Sequence, residues 1–161
     1  MQGRAAMIAM LAGLSAATAG SAQPLAPGAV PADVTARVKA AAPALTIKAA
    51  ELKVRDGRRY YDIEGVLPDG QEMELDLLET PNGWTVVEVQ RDIAWATAPA
   101  AARAAAETAW KGPPPVRVIE SRQTDGAVIY ELFAPGRPAT PALEVMVRNG
   151  DAKVLSETWP H

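Results

Sequence analysis

The chain has 161 residues, a net charge of −3, one histidine and no cysteine. Without cysteine it forms no disulfide and offers no thiol for catalysis or metal binding, and its acidity excludes nucleic acid and anionic membrane surfaces as natural partners. The length suits one ordinary domain or two very small ones, and because a domain of about 60 residues is marginal alone, two such units would have to support each other.

The first stretch, MQGRAAMIAMLAGLSAATAGSAQP, carries one base at Arg4, an apolar run from Ala5 to Ala19 and small residues at Gly20 and Ala22. This is the pattern of a secretory signal peptide over residues 1–22, cleaved after Ala22, followed by a flexible segment over 23–30. The apolar run falls short of the roughly 20 residues that span a bilayer. The expectation is therefore a periplasmic or secreted protein with no membrane attachment after cleavage.

From Pro31, Val34, Val38 and Ala41 recur at helical spacing until Pro43, which predicts a helix over 32–42. The period then changes to two. YYDIEGVL and EMELDLL alternate apolar with charged residues, the mark of strands with one buried face. Asp56-Gly57, Asp69-Gly70 and Asn82-Gly83 supply turns between predicted strands near 45–55, 58–67, 71–79 and 84–91. The same order then returns: a Pro99-led helix over 99–111, closed by Gly112-Pro113, and strands near 116–124, 127–134, 141–148 and 152–158. Pro31 matches Pro99, Asp56-Gly57 matches Asp125-Gly126, Tyr61 matches Tyr130, and Glu74 matches Glu144. The chain thus reads as an α+β tandem duplication, residues 31–97 and 98–161, each unit a helix packed on a four-stranded antiparallel sheet.

These features resemble the tandem PepSY-like domains of exported bacterial proteins, which share the fold of the β-lactamase inhibitor protein family. The likeness is carried by the Pro-led helix, the alternating YYDIEG and EMELDL strands and the Asn-Gly turn, and by their return after VEVQRDIAWATAPAA. It covers nearly all of residues 31–159. It implies a periplasmic or secreted binding module, of a kind sometimes proposed to restrain peptidases, and brings no catalytic signature with it.

Alternation places Asp62, Glu64, Glu72, Glu74 and Asp76 on the sheet face away from the first helix. In the second unit the matching positions are the apolar Ile129, Phe133 and Met146, together with Glu131, Glu144 and Arg148. The eight residues Asp62, Glu64, Glu72, Glu74, Asp76, Ile129, Phe133 and Met146 are the candidate partner-binding set, the acids steering a basic partner and the apolar residues anchoring it. Trp84, Trp95, Trp110 and Trp159 stand near element ends, where they close the edges of small cores. The sole histidine, His161, is terminal, and no nucleophile elbow, phosphate-binding glycine loop or His-based metal motif occurs. The reading is a non-catalytic module that binds another exported protein, such as a peptidase or hydrolase, with no cofactor and no dedicated metal site. The alternative is a small-ligand or Ca²⁺ sensor using the acidic face of the first unit.

Overall fold

Proline starts both helices. In the computed structural model, which describes residues 21–137 and 139–159, Pro31 and Pro99 cap α1 (Ala32–Ala41) and α2 (Ala100–Ala109) with nearly the same extended backbone, φ −56° and ψ 148° against φ −53° and ψ 145°. A missing N–H is harmless there, because the first N–H groups of a helix have no internal partner. Each helix buries one stripe at i, i+4 spacing: Val34 and Val38 on α1, Ala102 and Ala106 on α2. No helix of the described residues is long and apolar enough to cross a membrane. His161 and residues 1–20 of the expected signal peptide lie outside the described residues.

The strands are β1 (Ala22–Leu25), β2 (Thr46–Arg55), β3 (Arg58–Val66), β4 (Glu72–Thr80), β5 (Gly83–Asp92), β6 (Arg117–Gln123), β7 (Val128–Phe133), β8 (Leu143–Arg148) and β9 (Asp151–Val154). They form one antiparallel sheet in chain order. This corrects the expectation of two separate four-stranded sheets. β5 and β6 pair from Glu88↔Gln123 to Asp92↔Ile119 and fuse the two halves. The physical reason is the edge that β6 would otherwise expose, a row of unpaired N–H and C=O groups.

The same need orders part of the segment expected to be flexible. Ala22, Pro24 and Leu25 pair with Lys53, Glu51 and Ala50, protecting the edge of β2. Gln90 and Asp92 pair with Ser121 and Ile119, each 68 positions after its counterpart in β1 or β2. The recurring element order therefore begins upstream of each helix. One strand, one 3₁₀ turn (Pro27–Ala29 or Trp95–Thr97), one helix and four strands recur, with the end of β5 serving both halves.

Both helices lie on the same face. The first core gathers Val34, Val38, Leu45, Tyr61, Ile63, Leu75, Leu77 and Trp84, with the rings of Tyr61 and Trp84 meeting edge to face at 4.8 Å. In the second, the small side chains of α2 let it approach Val118, Tyr130, Leu132 and Val145, while Trp95 and Trp110 fill the flanks. Between the two cores Glu120 accepts from Arg91 and Arg122, at 2.9 and 2.8 Å, and from the Tyr130 hydroxyl at 3.3 Å. Burial opposes the Glu120 charge, but the two guanidiniums outweigh it and hold the carboxyl below its usual range. Both two-residue hairpin turns with a left-handed pair, Asp56-Gly57 and Asn149-Gly150, have positive φ throughout, as their sequence demands.

Candidate functional site: an acidic cluster on the helix-free face

The opposite face carries the candidate residues. Strand register runs Glu51↔Asp62↔Asp76↔Glu88↔Gln123 in one row across β2 to β6, and Glu64↔Glu74↔Gln90↔Ser121↔Ile129↔Met146 in the next. All eight residues expected on this face stand there. They do not form one exposed surface.

Asp62 and Asp76 are buried, at 8% and 6% exposure, Glu64 and Glu74 are half-buried, and only Glu72 among the five acids is open to solvent. Ile129 and Phe133 are both fully buried although they belong to neither helix-side core. They offer no anchor to a partner, and only Met146 of the three apolar candidates is partly accessible. Phe133 packs under the Arg117 guanidinium, 5.5 Å from the ring centre, and Arg117 is held by Asp92 at 2.9 Å. Long sheets twist and coil, so a face without a helix can still enclose its central rows.

Asp62, Glu74 and Asp76 converge. One carboxylate oxygen from each lies within 4.8 Å of the other two. Lys53, from the neighbouring strand, forms an ion pair with Asp62 and reaches Glu51 at 3.6 Å. On the β5 side Glu88 accepts from Ser121, from Gln123 at 2.9 Å and from Gln90 at 3.1 Å. Oδ1 of Asp76 is buried and, among the described residues, accepts no hydrogen bond.

The electrostatics follow from burial and crowding. Burial pushes the Glu74 carboxyl up to about 7, with Asp62 and Glu64 adding repulsion. Asp76 is driven well above the usual carboxylate range by burial and then by Asp62, Glu74 and Glu88. Burial also raises Asp62, more than Lys53 lowers it, and raises Glu64. Burial works against the Lys53 charge, but the surrounding carboxylates overcome it and hold the ammonium more firmly protonated. The cluster is therefore short of positive charge.

The second half answers the same problem differently. Glu131 and Glu144 also face each other across β7 and β8, and both are buried. There the Trp159 N–H donates to the Glu144 carboxylate at 2.6 Å.

Alternation alone missed Glu88 and Gln90. Val87 is a bulge residue, since Leu77 pairs with Val86 while Asp76 pairs with Glu88. The extra residue shifts the parity of β5 and turns Glu88 and Gln90 to the helix-free face. The adjacent Val86-Val87 followed by the alternating E-V-Q-R is the signal that could have revealed it. No family model, curated protein or solved structure matches the chain.

Proposed function

We propose that this protein is a non-catalytic, exported binding module that receives a positively charged segment of another exported protein, such as a peptidase or hydrolase. The docking surface is the acidic half of the helix-free face. The observation that carries the reading is the concentration of Glu51, Asp62, Glu64, Glu72, Glu74, Asp76 and Glu88 on one side of four adjacent strands. Glu51, Glu64, Glu72 and Glu74 form the accessible part of that surface. Charge of one sign on an enclosed surface raises the encounter rate of an oppositely charged partner and disfavours acidic competitors.

The charge is also divided between the halves. From Pro31 to Thr97 there are twelve acids and eight bases, and from Ala98 to His161 seven of each. Recognition is accordingly assigned to the first half. The likeness to PepSY-like modules, carried by turn and core positions, favours the same class of function, and the N-terminal composition favours export. Ser121, buried on this face, gives its hydroxyl to the Glu88 carboxylate, an arrangement suited to a structural role.

Fluorescence anisotropy with a lysine- and arginine-rich peptide tests this. Binding should weaken as salt screens the charges, and Glu51→Lys with Glu72→Lys should slow association. Equal binding of basic and acidic peptides, or no effect of the double reversal, would overturn it.

A further inference from the structure

Asp62 and Asp76 on this face are too deeply placed to meet a side chain of a docking partner, yet with Glu74 they converge closely enough to surround something small. We propose that Asp62, Glu74 and Asp76 form a binding site for one divalent cation of the calcium type, entered from the helix-free face. The inference is independent of whether a protein docks on the surrounding acids.

Three observations carry it. The first is span: two oxygens on opposite sides of a Ca²⁺ ion lie about 4.6–5.2 Å apart, and the three carboxylate oxygens here lie within 4.8 Å of one another. They can close on one ion without movement of the strands. The second is the state of Asp76, a residue 6% exposed whose Oδ1 is buried and accepts no hydrogen bond among the described residues. A buried polar atom without a partner is costly, and a metal ion is a partner that needs no donor hydrogen. The third is charge. Asp62 and Asp76 stand directly opposite across β3 and β4, as do Glu64 and Glu74, and like charges so placed repel. Among the described residues, Lys53 is the base that forms an ion pair with a member of the trio.

The donor set selects the ion. Three carboxylates and no nitrogen or sulfur favour a hard cation. Ca²⁺ tolerates irregular geometry and six to eight oxygens, whereas Mg²⁺ demands a near-ideal octahedron and sheds water reluctantly. Bidentate carboxylates, and water entering beside the half-buried Glu74, can complete the shell. Lys53 already occupies part of the site as a tethered cation, so an incoming ion competes with its ammonium for Asp62.

Calorimetry on the full chain, freed of metal by chelator, tests the site with CaCl₂ and with MgCl₂. Wild type should bind one Ca²⁺ in the range of about 10⁻⁴ to 10⁻³ M typical of extracellular modules, and Mg²⁺ more weakly. Asp76→Asn should weaken binding at least tenfold while remaining folded, because it keeps the side-chain shape and relieves repulsion; a melting curve checks this. Should that variant not fold, Glu74→Gln carries the same expectation. Lys53→Met should tighten binding several-fold, and Glu107→Gln, the same charge loss on α2, should leave it unchanged. Absence of saturable heat from folded wild type at millimolar Ca²⁺, or equal affinities in wild type and Asp76→Asn, would overturn the inference. A chain that binds the basic peptide but no Ca²⁺ overturns this site alone, and one that binds Ca²⁺ but no peptide overturns the partner reading alone.

Discussion

Asp62 and Asp76 face each other directly across β3 and β4, both buried on the side of the sheet that carries no helix. Opposed like charges destabilise a strand pair, and burial raises both carboxyls above their usual range, with Asp62 adding repulsion at Asp76. Glu74, whose carboxyl is raised from 4.5 to about 7 chiefly by burial, makes the consequence measurable. Across that interval the folded state binds more protons than the unfolded chain, and stability falls as pH rises. Thermal melts in chelator should show a midpoint that declines from pH 4.5 to 7. Acting alone, a shift of this size corresponds to about 3 kcal/mol. Glu74→Gln should flatten the slope and raise the midpoint at neutral pH, and a slope unchanged by the substitution would contradict the assignment.

Phe133→Ala should act on stability and not on binding. The ring is fully buried beneath Arg117, so its removal should cost about 3–5 kcal/mol, the usual range for a buried aromatic. Chemical denaturation measures that cost. Affinity for a basic peptide, taken where the variant is folded, should match wild type.

Leu75→Ala tests the opposite face. Leu75 is fully buried in the first core, and truncation should cost about 2–5 kcal/mol. A melting temperature equal to that of wild type would mean that the strand faces are reversed.

Much of this arrangement is legible in the alternation of YYDIEG and EMELDL, which assigns Tyr61, Ile63, Leu75 and Leu77 to the core and Asp62, Glu64, Glu74 and Asp76 to the other side. Period two fixes a face because successive strand side chains point in opposite directions. It does not report enclosure. Acids default to solvent in such a reading, whereas the sheet buries Asp62 and Asp76 in a row between Glu51 of β2 and Glu88 of β5. The bulge at Val87 hid Glu88, since one extra residue reverses parity. β1 was hidden for a different reason: AQPL is short and contains Pro24, and only its pairing with β2 makes it a strand. The fusion of β5 to β6 is likewise a long-range pairing that no local pattern specifies. β9 ends at Val154, earlier than the alternation suggests, because the chain turns away after Leu155 donates to the Glu144 carbonyl.

Gly65, the last residue of the YYDIEG motif, is there for close packing. A Cβ added to it would fall 2.7 Å from Leu45 Cγ and 2.7 Å from the Thr46 carbonyl oxygen. It faces the irregular stretch of β2 between Ile47 and Ala49, where the register shifts. Gly65→Ala should destabilise the protein by about 1–3 kcal/mol through overpacking, read by denaturant titration against wild type. A neutral effect would show that this end of β2 can move aside.

The claim that Asp62, Glu74 and Asp76 hold a cation on the helix-free face is tested most directly by diffraction from crystals grown with Mn²⁺, an anomalous scatterer with oxygen-ligand preferences close to those of Ca²⁺. The account predicts one anomalous peak within coordination distance of Asp62, Glu74 and Asp76, with the Lys53 ammonium displaced from Asp62. Crystals that show no peak at this cluster, with Lys53 still paired to Asp62 at saturating metal, would contradict it.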